Sequence, residues 1–101
     1  MSKRIGITVI FISILVSVSA QQIWNFAEVD KKSYEFFQQQ KWSDLIDFAN
    51  QSREHGIDYF YLQARTGIAY YNLKKYRKST EWFFKAWDND QSFEWLQEYL
   101  Y

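Results

Sequence analysis

Side chains that could do chemistry are few in this chain. Among its 101 residues there is one histidine, His55, and no cysteine, which excludes a disulfide framework, a thiol nucleophile and a thiolate metal site. A metal site or a catalytic triad needs several converging groups, and the sequence offers His55 no such partners. The pattern therefore favours His55 as a positive group at the end of a helix.

Two pairs of carboxylates and one cluster of cations are the remaining candidates. The pairs are Asp44 with Asp47 and Glu94 with Glu98, and the cluster is Lys74, Lys75, Arg77 and Lys78. Nothing near the pairs marks the cleft that acid–base catalysis needs, so they are better explained as solvated helix faces. The cations surround Tyr76 and could contact phosphate or acidic lipid, although cations are ordinary in a turn between helices. With no Gly-rich phosphate loop and no nucleophile elbow, we predict no enzyme, no catalytic residue, no cofactor and no metal.

Composition predicts that these side chains are positioned by helices. Hydrophobic residues make up 48% and aromatic residues 22% of the chain, which is typical of a folded protein. Proline is absent and glycine occurs three times, so the turn residues that a sheet needs are missing. The formal net charge of +0 gives no general field for nucleic acid, and we predict no nucleic-acid partner.

Apolar spacing predicts five helices, over about 26–39, 42–53, 59–73 and 75–87, with a fifth from about 93. Ser43 and Asp58 are the expected N-terminal caps of the second and third helices. Gly56 is the expected left-handed residue that ends the second helix.

The N-terminus has the order of a secretory signal peptide. Lys3 and Arg4 precede an uncharged apolar run over 5–18, and Val18-Ser19-Ala20 supplies small or modest residues before a cleavage point. We predict a signal helix over 1–20 that is cleaved after Ala20. A retained membrane anchor is the alternative, because no charged residue appears between the apolar run and Glu28.

The remaining chain overlays on itself when it is shifted by 34 residues. Phe36 then falls on Tyr70, Lys41 on Lys75 and Ser33 on Gly67, and a period of about 34 residues is that of one class of helical repeat. The strongest segment runs from Gly67 to Ala86. Its small and aromatic residues suit two closely packed antiparallel helices, and they are Gly67, Tyr70, Tyr76, Phe83 and Ala86.

These five positions resemble the tetratricopeptide repeat (TPR) family, in particular exported bacterial members. The resemblance implies an all-α fold, a TPR-like solenoid of antiparallel helical hairpins over 21–101. Its first repeat would span about 26–59 and its second about 60–93, with the start of a third at 94–101. The second repeat matches the family better than the first, in which Ala49 stands where the second has Phe83.

The resemblance also implies a groove lined by the first helix of each hairpin. The matching positions are Tyr34, Phe37, Tyr61, Ala64, Ile68, Tyr71 and Asn72. Because tyrosine offers a large contact area with a polar tip, an apolar peptide is the expected ligand. The alternative is that these aromatic side chains pack internally or cover a following repeat.

The leading hypothesis is therefore an exported scaffold for protein–protein interaction in the bacterial periplasm or cell envelope. The alternative is an N-terminal, non-catalytic module of a longer envelope or outer-membrane protein whose activity lies beyond residue 101. A small enzyme is the least favoured alternative. The expected partner is a protein or peptide, and a membrane is contacted only through an uncleaved signal segment. Self-association through the apolar end, Trp95 to Tyr101, is a further expectation.

Overall fold

The computed structural model describes residues 24–100, apart from the side chains of Gln97, Glu98 and Leu100. The predicted signal helix, its cleavage point and Tyr101 lie outside these residues. The described chain is all helical, with no strand, and confirms the predicted fold class at that level. Its elements are α1 (Phe26–Gln38), α2 (Trp42–Glu54), α3 (Phe60–Asn72), α4 (Tyr76–Asn89) and the short α5 (Trp95–Leu100). The predicted boundaries lie within two residues of these.

Two of the three predicted caps were wrong. In neither α2 nor α3 does a capping side chain accept a hydrogen bond from the helix backbone, because the capping positions are held by Lys41 and Tyr59 and not by Ser43 and Asp58. Asn25 instead caps α1, where its side chain accepts a hydrogen bond of 2.9 Å from the backbone N–H of Glu28. Gly56 is confirmed as the left-handed residue after α2, with φ of +78°.

The turns that join α1 to α2 and α3 to α4 have the same hydrogen bonds. The backbone N–H of Lys41 donates to the carbonyl of Phe36, and that of Lys75 donates to the carbonyl of Tyr70, both at 2.9 Å. The residue before each donor has a positive φ, of 56° and 62°. Since Lys41 and Lys75 are 34 residues apart, the period found in the sequence is also a period of the backbone.

Neighbouring helices along the chain pack on one another, and α1 also packs on α3. The three-residue turns make α1 antiparallel to α2, and α3 antiparallel to α4. By contrast, no Cα atoms of α2 and α4 approach within 8 Å of each other among the described helices. These two helices meet through side chains, for example the guanidinium of Arg53, which lies 3.9 Å from the ring centre of Trp82.

The core consists of three apolar clusters that follow one another along the helices. Leu45, Ile46 and Ala69 form the cluster nearest the two three-residue turns. The cluster at the opposite end of α1, α2 and α3 contains Val29, Phe48, Ala49 and Leu62. The third lies among α3, α4 and α5, and contains Ala64, Phe83, Ala86 and Leu96.

Close packing of α3 on α4 depends on Gly67. A Cβ atom at this position would lie 2.7 Å from two ring carbons of Phe83, so no larger residue fits without movement. Ser79 donates a hydrogen bond of 2.8 Å to the carbonyl of Gly67, which ties the two helices together. Of the other residues that suggested the repeat, Ala86 is buried, Tyr70 is half-buried and Tyr76 is exposed at the start of α4.

Candidate functional site

The face shared by α1 and α3 exposes two tyrosines around one arginine. Tyr34 on α1 is 47% exposed and Tyr61 on α3 is 50% exposed. The guanidinium carbon of Arg65 lies 5.4 Å from the ring centre of Tyr34 and 5.7 Å from that of Tyr61. These distances are within the range of cation–π attraction. We call Tyr34, Tyr61 and Arg65 the Tyr–Arg–Tyr surface.

Arg65 is held in place from α1. One of its terminal nitrogens donates to a carboxylate oxygen of Asp30 at 2.8 Å and to the hydroxyl of Ser33 at 3.0 Å. The hydroxyl of Tyr59 donates to the same Asp30 oxygen at 2.8 Å. The arginine side chain is 15% exposed and that of Asp30 is 40% exposed, so the pair lies between core and solvent. These bonds fix the position of α3 on α1 and orient the guanidinium between the two rings.

This network shifts two pKa values. Burial is the largest influence on Asp30 and raises its pKa, but the hydrogen bonds from Arg65 and Tyr59 outweigh it and hold the pKa below its ordinary value of 3.8. Burial, and then the hydrogen bond to Asp30, raises the pKa of Tyr59 to about 12. At neutral pH the carboxyl group of Asp30 is therefore ionised and the phenol of Tyr59 is neutral.

Sequence reasoning missed Arg65 and Tyr59. Asp30 and Arg65 are 35 residues apart, almost one repeat period, and the distance in sequence hides their contact. A signal was nevertheless present. If the first helices of successive repeats are neighbours, residues about one period apart face each other, and an acid followed 35 residues later by an arginine suggests an ion pair between those helices.

The other predicted groove residues have different environments. Tyr71 is exposed and Phe37 is half-buried, with its ring 6.4 Å from that of Tyr34. Ala64 is buried in the core beside Phe83, and Ile68 packs against the same cluster. Asn72 is exposed and donates to the carbonyl of Ile68 within its own helix. The exposed part of the predicted groove is thus mainly aromatic, and Ala64 contributes core instead of surface.

His55 directly follows the last residue of α2. Its ring stacks on that of Trp24 at 4.4 Å, and its Nδ1 lies 2.9 Å from the carbonyl oxygen of Gln51. Within residues 24–100, no three side chains of the His, Cys, Asp or Glu type cluster closely enough to hold a metal ion. None of the described helices is long and apolar enough to cross a membrane.

No family model, curated protein or solved structure matches the chain.

Proposed function

We propose that this protein is an exported TPR-like scaffold whose first-helix face binds an extended or helical peptide of a partner protein. The observation that carries the proposal is the Tyr–Arg–Tyr surface on α1 and α3. Tyrosine and arginine are, with tryptophan, the residue types enriched among those that dominate binding energy at protein interfaces. Arg65 is already held by hydrogen bonds, and the two tyrosine rings by contacts with Phe37 and Phe93, so little side-chain entropy remains to be lost on binding.

The solenoid arrangement is supported by recurrence of the same contacts one period apart. The rings of Phe26 and Tyr59 are 4.6 Å apart, and those of Phe60 and Phe93 are 4.5 Å apart. In the same way, an edge-on pair at the first turn, Phe37 with Trp42, recurs at the second as Tyr71 with Tyr76. Contact between α1 and α3 without backbone contact between α2 and α4 suits a curved stack in which first helices form the inner face.

Partner chemistry follows from the surface. Two half-exposed phenol rings offer apolar area, and their hydroxyl groups can bond to a peptide backbone. The guanidinium adds a cation whose charge is partly balanced by Asp30. A peptide with apolar side chains and backbone carbonyls directed at Arg65 fits this surface better than a strongly charged one.

Selection from a displayed library of short random peptides tests this proposal. Residues 21–101 contain every residue of the three core clusters, so this segment is the bait. We expect the selection to enrich peptides whose apolar side chains bind the two tyrosine rings. The Tyr34→Ala/Tyr61→Ala variant should bind these peptides about tenfold or more weakly. The control is Phe84→Ala, which removes a ring that is also exposed but lies on α4. Equal binding by both variants would contradict the proposal.

Export is the second part of the proposal and is supported by residues 1–20. Expression of the full chain in a bacterium, followed by mass measurement of the periplasmic fraction, tests it. The proposal expects a mature chain that begins at Gln21. An intact N-terminus in the membrane fraction would instead favour the anchor.

The second candidate function is a non-catalytic module of a longer envelope protein. It is favoured by α5, which is related to the start of α3 by the same shift of 34, with Leu62 and Leu96 both buried. The short helix packs on α4 as α3 packs on α2. A transcript or protein that continues the repeat beyond residue 101 would decide for this candidate.

A further inference from the structure

One end of the helical stack carries most of the exposed positive charge. Five cations lie in or next to the turns that join α1 to α2 and α3 to α4, and all five are exposed. They are Lys41, Lys74, Lys75, Arg77 and Lys78. Asp44 is the one carboxylate in residues 39–44 and 72–78, while Glu35, Asp47 and Glu81 lie about one helical turn away from these turns. We call this region the basic end.

The two turns lie side by side. Ser43 and Asp47 of α2 line the same cleft, of about 270 Å³, as Leu73 and Lys75 of the second turn. The core cluster beneath them joins Leu45 and Ile46 of α2 to Ala69 of α3. The positive charges of the two turns therefore add up over one surface.

The cations of the basic end are not neutralised by ion pairs. Among the described residues no ion pair involves one of these five cations, and the pair between Arg65 and Asp30 lies on α1 and α3, outside the two turns. Lysine and arginine side chains that are exposed and unpaired can move to meet an external anion at little cost.

Aromatic rings lie among these cations. Tyr76 is 54% exposed, and its ring meets that of the exposed Tyr71 at 5.3 Å. Trp42 is half-buried beside the first turn, 5.9 Å from Phe37. Tyrosine and tryptophan are the side chains that concentrate at the level of lipid headgroups, where one part of the ring is wet and another is apolar.

The opposite end of the stack is acidic. Residues 24–28, 53–60 and 86–94 contain six carboxylates and one Lys or Arg, which is Arg53. The carboxylates are Glu28, Glu54, Asp58, Asp88, Asp90 and Glu94. A helix of 13 residues, the length of α1, is about 20 Å long, whereas charges are screened beyond about 8 Å at physiological salt. An anionic surface at the basic end is therefore attracted without being repelled by the acidic end.

We infer that the basic end binds the surface of a bilayer that contains anionic phospholipid. The cations pair with lipid phosphates, and Tyr76 and Tyr71 enter the headgroup layer. The stack then stands with its acidic end away from the membrane. The Tyr–Arg–Tyr surface lies along the sides of α1 and α3 and stays free for a partner.

Labels at the two ends of the full chain test this orientation. The chain has no cysteine, so a single introduced cysteine carries one fluorophore. Gln39→Cys marks the basic end and Gln91→Cys the acidic end, and both positions are exposed. On vesicles of phosphatidylcholine with phosphatidylglycerol, we expect the label at 39 to be shielded from aqueous iodide and the label at 91 to stay accessible. Shielding of the label at 91 instead, or of both labels equally, would overturn the inference. Such a result is expected if the apolar residues 5–18 alone held the chain on the membrane.

Charge reversal supplies the second test. Arg77→Glu/Lys78→Glu should still fold, because negative side chains are favourable in the first turn of a helix. We expect its affinity for the phosphatidylglycerol vesicles to fall by more than about tenfold, given about fivefold per cation near the surface. Lys31→Glu/Lys85→Glu changes the net charge equally on α1 and α4 outside the basic end and should have a much smaller effect. Equal losses in both variants, or equal binding of the wild type to pure phosphatidylcholine, would contradict a lipid site at the basic end. Soluble polyphosphate separates a lipid site from a site for free phosphate. If Arg77→Glu/Lys78→Glu lost binding to polyphosphate but still bound the vesicles, the lipid site would also be contradicted.

Discussion

Residues 26–59 and residues 60–93 fill equivalent core positions with side chains of different size. Where the second segment has Ser79 and Phe83, the first has Leu45 and Ala49, and all four are buried. The large side chain has thus moved by one helical turn between the two segments. The hydrogen bonds of the turn are the same in both segments. The two segments therefore share one backbone arrangement, although the large and small core side chains occupy different positions in each.

The two segments also differ in the contacts that their first helices, α1 and α3, make with the helix that follows one period later. In the second segment Phe83 occupies the space beside Gly67, and no side chain fits there. In the first segment the equivalent position is Ser33, whose hydroxyl accepts a hydrogen bond from Arg65. A polar network therefore joins α1 to α3. One period later, Asp30, Tyr59 and Arg65 are replaced by Ala64, Phe93 and Tyr99. Phe93 and Tyr99 make aromatic contacts with tyrosines of α3 in place of the polar network.

Loss of the large ring from the second segment should have the largest effect. We expect Phe83→Ala to lower the free energy of unfolding by about 3–5 kcal/mol, because Phe83 is 1% exposed and a cavity would remain. Its neighbour Phe84 is 45% exposed, so Phe84→Ala should change stability by about 0.5 kcal/mol or less. Urea unfolding of the pair measures the difference. Similar midpoints for both variants would mean that the second segment is not packed around Phe83.

Addition of a methyl group at Gly67 should have the next largest effect. Because its Cβ atom would overlap the Phe83 ring, Gly67→Ala should cost about 1–3 kcal/mol in unfolding free energy. In a Phe83→Leu background the same change should be neutral or stabilising, since alanine has the better helix propensity by about 1 kcal/mol. A double-mutant cycle measures this change of sign. A cost that is unaffected by the Phe83 substitution would exclude the proposed contact.

High pH should weaken the first segment through Tyr59. The pKa of this phenol is raised from 10.0 to about 12, so its contribution to stability is complete below pH 10 and is lost as the pH rises towards 12. We expect the wild type to lose more stability than Tyr59→Phe over this interval. Thermal melts of both proteins across this pH interval test the prediction. Every other tyrosine is present in both proteins, so the difference between their melting temperatures reports on Tyr59. Parallel curves would show that the hydrogen bond to Asp30 does not form in solution.

Acid should have the smallest effect. The lowered pKa of Asp30 means that its contribution to stability is present above 3.8 and is lost as the pH falls through the lower folded-state value. Because this pair is partly exposed, Asp30→Asn should cost about 1 kcal/mol or less at neutral pH and should remove that acid dependence. Denaturant midpoints at neutral and acidic pH provide the comparison. A wild type and variant with the same acid response would show that Asp30 is not paired.

Apolar spacing was enough to locate the helices, because the stripes of α1 and α4 are strongly one-sided and Gly56 marks a clear end of α2. Capping was predicted less well. Ser43 has the right chemistry, but the turn after α1 starts α2 at Trp42, one residue before it. Local sequence could not show this, since the turn is fixed by hydrogen bonds back to α1.

Exposure within the predicted groove could be predicted only in part. Tyr34 and Tyr61 lie at the surface, but Ala64 is covered by α4, and that depends on how closely Gly67 lets α3 and α4 approach. The role of Arg65 depends on the packing of α1 against α3, a contact between residues distant in sequence. The sequence therefore predicts where each helix begins and ends, but it does not predict how the helices pack on one another.

The most direct test of the scaffold proposal is the change in backbone amide NMR shifts of residues 21–101 when a selected peptide is added. We expect the largest changes around Tyr34, Tyr61 and Arg65, on α1 and α3. Changes confined to the outer side of α4 around Phe84, or to the cations of the basic end, would contradict a peptide site on the first-helix face.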